Sequence, residues 1–159
     1  MNLSICAIGR LKAGPERQLA ERYLGRAGEL ASRLGFSGPR VVEIVESRAR
    51  DEATRKREEA AGLAGRSEGA VRIALDERGE TLNSKEFAKF LEKHRASGAK
   101  SLAFLIGGAD GLAPDVLKTA HQTISFGAMT LPHQLARIVL LEQIYRALTI
   151  RSGHPYHRA

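Results

Sequence analysis

With 159 residues, 43% hydrophobic and 27% charged, the chain has the length for one domain with a real apolar core. No apolar run is long enough to span a bilayer, and a single cysteine, Cys6, excludes an internal disulfide and a cysteine-based metal site. The net charge of +7 points to a polyanionic partner, nucleic acid ahead of an acidic membrane surface, with a solvated basic face as an equal alternative.

Residues 1–8 lack a basic n-region and read as a first strand (3–8) rather than a signal peptide. Cys6 lies within it as a buried structural thiol, in keeping with a reducing cytoplasm. Pro15 suits a first helical turn, and Leu19, Tyr23, Leu30 and Leu34 recur near helical spacing, so a helix follows until residues 35–39 break it. The β-branched run 41–45 is a second strand. Residues 51–63 form a charged helix with few apolar anchors, expected to pack weakly. A third strand, 70–75, ends at Asp76-Glu77-Arg78-Gly79. Ser84 is the expected N-cap of the next helix, on which Phe87, Phe90, Leu91 and His94 share one face. A fourth strand (101–106), a short helix (114–120), a fifth strand (124–131) and a last helix (133–150) complete the order. Such alternation predicts one α/β domain over residues 1–159, its mostly parallel sheet covered by helices on both faces. In the last helix Leu135 and Val139 point away from Leu140, Ile144 and Leu148. A helix apolar on opposite sides is buried on both, one side being expected against a second subunit or, alternatively, against its own chain.

Two Gly-bearing loops close the fourth and fifth strands: Gly107-Gly108-Ala109-Asp110-Gly111, and the stretch running into Pro132-His133. Ligands of open α/β sheets bind at the carboxyl ends of strands, and glycines there admit a close backbone approach, so a small-molecule site is expected. The G-G-x-x-G spacing is not the dinucleotide fingerprint, and no phosphate-loop lysine is present. Taken bare, such glycines more often mean a tight turn. His154 and His157 flank Pro155 with no carboxylate cluster nearby, so no metal site is expected. His94 reads as partly exposed, and His121 as a helix-end residue favoured by the dipole. His133 opens the last helix and faces the expected pocket, a plain surface histidine being the alternative. No serine stands in a nucleophile elbow.

Residues 105–112 (Leu-Ile-Gly-Gly-Ala-Asp-Gly-Leu), 128–133 (Ala-Met-Thr-Leu-Pro-His), 142–146 (Glu-Gln-Ile-Tyr-Arg) and 154–158 (His-Pro-Tyr-His-Arg) resemble one family throughout. It is the SPOUT-class methyltransferases that modify N3 of a pseudouridine in large-subunit (23S) ribosomal RNA. The likeness runs from Leu3 onward in length and element order, with Leu75-Asp76 the clearest point before the fourth strand. It implies a carboxyl-terminal trefoil knot, a homodimer built around the knot helices, and a cytoplasmic enzyme acting on the ribosome. It also implies S-adenosylmethionine as cofactor, held by Leu75, by Gly107 and Gly108, and by Phe126, Gly127, Ala128, Met129, Thr130 and Leu131. Gly127 stands where similar sequences more usually carry serine, and Ala109-Asp110 also departs from the usual pair.

For such a reaction His133 and His157 are the candidate bases, imidazole being the side chain that titrates near neutrality. Arg158 can stabilise an anionic uracil ring or clamp a phosphate, and Tyr156 can stack on the base or hydrogen-bond to it, unless the tail is simply a disordered end. Arg10, Lys12, Arg17, Arg22 and Arg26 are candidate phosphate contacts, or else a solvated helix face. A tRNA methyltransferase of the same class, or a non-catalytic ribosome-binding factor, would share parts of this pattern. Neither a membrane nor a metal is expected.

Overall fold

The computed structural model describes residues 1–158. The elements run β1 (Asn2–Ile8), α1 (Pro15–Ala31), a 3-10 turn (Ser32–Leu34), β2 (Ser37–Ile44), α2 (Glu52–Arg66) and β3 (Val71–Thr81). They continue with α3 (Ser84–Ala96), β4 (Ser101–Ile106), α4 (Pro114–Thr119), β5 (Gln122–Ser125) and α5 (His133–Ser152). Ala159, the last residue of the expected domain, lies outside the described residues.

One sheet of order β2-β1-β4-β3-β5 is parallel in every pairing, as the βα alternation predicts. Side chains alternate across it. Leu3, Ile5 and Ala7 of β1 join Leu102, Phe104 and Ile106 of β4 in the layer under α1, α3 and α5, while Cys6, Ile8, Ala103 and Leu105 face the smaller layer under α2 and α4. Both central strands are therefore apolar on both faces, which is why they read as continuous hydrophobic runs. Pro39 falls where the register between β1 and the edge strand β2 shifts, so its missing N–H costs little of the ladder.

Several boundaries differ from expectation. The N-cap of α3 is Asn83, not Ser84: Asn83 accepts from the Glu86 amide and Glu86 accepts from the Asn83 amide. The charged helix α2 has few apolar anchors, as expected: Leu63 is its one buried apolar side chain, with Glu59 5% exposed beside it. The fifth strand was expected to reach residue 131 but stops at Ser125. There the Ser125 hydroxyl accepts from the Gly127 amide at 3.0 Å, and Gly127 takes φ 122°, turning the chain out of the sheet. β3, by contrast, runs on to Thr81. Its register with β5 slips so that Leu75 and Glu80 both oppose Ile124, and residues 76–79 bow out between them. At Gly79 a Cβ would come within 2.6 Å of the Ile124 backbone, so only glycine lets the excursion close.

α5 packs against α1 and α3. Leu140, Ile144 and Leu148 are fully buried in the domain, whereas Leu135 is 45% exposed and Val139 half-buried. No helix among the described residues is long and apolar enough to cross a membrane.

Candidate active site at the carboxyl ends of the strands

A cavity of about 600 Å³ opens where β3, β4 and β5 end, within the size range of small-molecule sites. Leu75, Gly107, Gly108, Phe126, Met129, Thr130, Leu131 and His133 all line it, so residues far apart in the chain meet in one place. Gly127 and Ala128 belong to the same loop but are not among the lining residues. The bowed segment adds Asp76, Glu77 and Arg78, and α2 adds Lys56, none of which the sequence singled out as a site residue. The run Asp76-Glu77-Arg78-Gly79 after an apolar strand was the available signal, and it was taken for a simple strand end.

The glycine loop is shaped by close approach. A Cβ on Gly107 would lie 2.5 Å from the Gly111 carbonyl carbon, and one on Gly108 would lie 3.0 Å from Ile8. The Gly111 amide donates to the Gly108 carbonyl at 3.0 Å, and Gly111 takes φ 76°. Asp110 is gripped from outside by Arg55, whose Nε and Nη2 donate to the two carboxylate oxygens at 2.6 and 3.2 Å. That two-point hydrogen bond holds the Asp110 carboxyl below its ordinary range. Behind the loop, Glu59 accepts from the Ser47 amide through one oxygen while the other is buried without a partner; burial pushes this carboxyl up.

On the opposite wall, Thr130 donates to the Glu77 carboxylate at 2.9 Å, and the Ser125 hydroxyl donates to the Glu77 carbonyl at 3.2 Å. The bow and the β5–α5 loop are thereby joined. Asp76 accepts from the backbone and guanidinium of Arg78, which keeps its carboxyl below the usual value.

His133 sits at the first turn of α5 against Gly9, where a Cβ would meet its Nε2 at 3.5 Å. One turn on, Arg137 is 2% exposed, pairs with Glu43 at 2.7 Å and donates to the Gly9 carbonyl at 2.9 Å. Sequence reading passed over Arg137, one of three arginines on α5; nothing in the local sequence distinguishes it from the partly exposed Arg146 and Arg151.

The tail is elsewhere. Tyr156 packs on Tyr145 with ring centroids 4.6 Å apart, donates to Glu142 at 3.0 Å and lies under the Arg146 guanidinium at 4.8 Å. Burial, with hydrogen bonds to Tyr23 and Glu142, pushes its phenol well above the ordinary value. His157 Nδ1 lies 3.5 Å from Arg146, and its Nε2 is buried without a partner. Arg158 is exposed. None of Tyr156, His157 and Arg158 lines the cavity: Glu142 is nine residues beyond His133, roughly 13 Å along the helix axis. Among the described residues, no cluster of three or more His, Cys, Asp or Glu side chains is gathered to hold a metal ion.

Comparison with known proteins adds the following. The family described as "Predicted SPOUT methyltransferase" matches residues 1–157. A protein of Nitrobacter hamburgensis named ribosomal RNA large subunit methyltransferase H is 55% identical, covering 99% of each chain. A protein of the same name from Rhodopseudomonas palustris strain BisA53 is 56% identical over 100% of both. Among solved structures, a probable methyltransferase from Bordetella pertussis superposes with TM-score 0.51 at 16% identity, covering 92% of this chain and 95% of that one. A probable methylase family protein from Haemophilus influenzae gives 0.51 at 14% identity, covering 99% and 70%. At such identities the structural likeness speaks for the fold alone.

Proposed function

Since the chain belongs to the SPOUT methyltransferase family, we propose that it is an S-adenosylmethionine-dependent enzyme that methylates N3 of a pseudouridine in large-subunit (23S) ribosomal RNA on the assembled ribosome. The observation that carries this reading is the meeting of the glycine turn, Leu75 and the 126–131 loop around one cavity beside His133. The relatives' names support the RNA, and the net charge of +7 suits it. The reading includes a cytoplasmic homodimer with a trefoil knot at the carboxyl end.

The cavity suits the cofactor. The turn 107–111 lines it with small residues, Gly107, Gly108, Ala109 and Gly111, which leave main-chain donors and acceptors within reach of a bound adenine or amino-acid moiety. Leu75, Phe126 and Leu131 offer apolar cover, and Glu77 offers a carboxylate to hydroxyl or cationic groups. When bound, S-adenosylmethionine supplies a methyl group already activated by its sulfonium.

The protein's remaining tasks are to align N3 with that methyl group and to take the N3 proton. His133, at the cavity, is placed to accept a proton there. Tyr156, held protonated by burial and Glu142, is suited to donating to a base carbonyl rather than to deprotonating it. Arg158, exposed and free of the Glu142 network, is suited to a phosphate or to a ring anion. The tail and the cavity of one chain are half a helix apart, so both serve one base only if a second copy brings its tail to this cavity. Met129 at 81% exposure and Leu135 at 45% leave apolar surface at the cavity end for such a partner.

The reading is tested by titrating the protein with S-adenosylmethionine and by mapping ribosomal RNA nucleosides after incubation with purified ribosomes. Cofactor binding and a gain of one methyl on a pseudouridine are expected. Methylation of bulk tRNA in preference to ribosomes, or no cofactor binding, would overturn it.

A further inference from the structure

We infer that two loops flanking the cavity, residues 9–14 after β1 and 45–50 after β2, form a cationic ledge along which a strand of the substrate RNA lies; this rests on the RNA-modifying reading above. β1 and β2 are neighbours in the sheet, so both loops leave the same carboxyl edge on which the cavity opens.

Each loop is pinned through its backbone, at Gly9 and Leu11 in the first and at Ser47, Ala49 and Arg50 in the second. In the first, the Gly9 carbonyl accepts from buried Arg137 at 2.9 Å and the Leu11 amide donates to Glu43 at 2.8 Å. Gly9 and Leu11 are thereby held inward, and the intervening Arg10 and Lys12 project into solvent. In the second, the Ser47 amide donates to Glu59 at 3.1 Å, the Ala49 amide donates to the Ser47 hydroxyl at 3.2 Å, and Arg55 donates to the Ala49 carbonyl at 3.1 Å. Ser47 and Ala49 are half-buried, while Arg48 and Arg50 are exposed. The same alternation thus appears twice, side by side.

Of the carboxylates at the base of the ledge, Glu43 is engaged by Arg137 and the Leu11 amide, Glu58 by the Ser47 hydroxyl, and Glu59 by the Ser47 amide through one of its oxygens. Arg10, Lys12, Arg48 and Arg50 make no salt bridge among the described residues, and Glu46 is the single acidic residue within the two loops. Cations held outward on a hydrogen-bonded backbone, with no salt bridge among the described residues, fit a regularly spaced polyanion. Two of the three α1 cations differ, Arg22 being exposed and without a salt bridge among the described residues. Arg17 is paired with Glu21 at 2.8 Å, and Arg26 lies 6.0 Å over the Tyr145 ring. They are less free to neutralise a phosphate.

The experiment measures binding to protein-free large-subunit ribosomal RNA and to purified ribosomes across a salt series. Three proteins are compared with wild type: a ledge variant (Arg10→Gln, Lys12→Gln, Arg48→Gln, Arg50→Gln), a helix variant (Arg17→Gln, Arg22→Gln, Arg26→Gln), and a charge-keeping ledge variant (Arg10→Lys, Arg48→Lys, Arg50→Lys). The ledge variant should bind both RNA forms at least tenfold more weakly at low salt. Its slope of log affinity against log salt should flatten by about 3, at ~0.7 per lost cation on a single strand. The charge-keeping variant should stay near wild type, and the helix variant should lose less than the ledge variant. Wild-type affinity and slope in the ledge variant would overturn the inference, as would an equal loss in the charge-keeping variant or a greater loss in the helix variant. Weakening on ribosomes alone would assign the ledge to an acidic protein and overturn it too. Cofactor titration and methyl transfer by the wild type are read separately, so failure of the enzymatic reading shows there and not in the salt slope.

Discussion

At Gly107 the side-chain requirement comes from a close approach and not from a left-handed φ, which the neighbouring Gly111 takes instead. Gly107→Val should therefore push the 107–111 turn outward and weaken S-adenosylmethionine binding at least tenfold while the sheet still folds; calorimetric titration of the folded variant checks this. Gly25→Ala is the matching control, since a Cβ there meets nothing within 4 Å, and it should stabilise α1 by about 0.5–1 kcal/mol. Glu43 makes a second residue-scale case. Burial raises its carboxyl, but hydrogen bonds from Arg137 and the Leu11 amide outweigh this and leave it below the ordinary value. A carboxyl depressed on folding contributes stability above its unfolded pKa and loses it as pH falls through the folded one. Glu43→Gln should thus cost roughly 2 kcal/mol at pH 7, less than the ~3–5 of a fully buried pair because Glu43 is 35% exposed. The gap to wild type should close as pH falls below the carboxylate range, which denaturant titrations at pH 7 and pH 3 would read.

At the scale of elements, α5 shows why a two-sided apolar helix cannot be assigned from periodicity alone. Both stripes were legible, but Leu140, Ile144 and Leu148 lie fully buried in the core of the same chain, while Leu135 is exposed and Val139 half-buried. Leu135→Glu should convert a dimer to folded monomers in sedimentation runs at micromolar concentration. Leu140→Glu should instead abolish folding, because its charge would be fully buried. A wild-type protein that sediments as a monomer removes the partner from the picture. The capping of α3 is a smaller lesson. Asn83 and Glu86 sit three apart as a capping box requires, yet Ser84 is an equally good cap residue by composition, and only the backbone turn distinguishes them.

For the molecule as a whole, the tail and the cavity are separate features. The tail is not a disordered end: Tyr156 rests on Tyr145 and Glu142. Removing residues 155–159 should cost about 1 kcal/mol of stability, the size of one aromatic pair with its hydrogen bond. It should leave cofactor affinity unchanged and abolish methyl transfer to ribosomes. If a second copy supplies the tail, mixing the truncated protein with full-length Gly107→Val should restore about a quarter of wild-type activity, since half the two-fold dimers then hold one complete site. No recovery after subunit exchange would show that each chain works with its own tail.

The sequence by itself determined the strand and helix order, the two-faced parallel sheet, the glycine loops at strand ends and the placement of His133. These depend on side-chain period and on turn residues within a few positions of one another. Only the tertiary structure decided the bow at residues 76–79, the end of β5 at Ser125, the inward face of α5 and the lodging of the tail on Glu142. It alone brought Arg137 to Glu43, 94 residues away, and to Gly9, 128 away. Such pairings follow from which strands become neighbours and in which register. That is settled by burial summed over the whole sheet, and no local pattern records it.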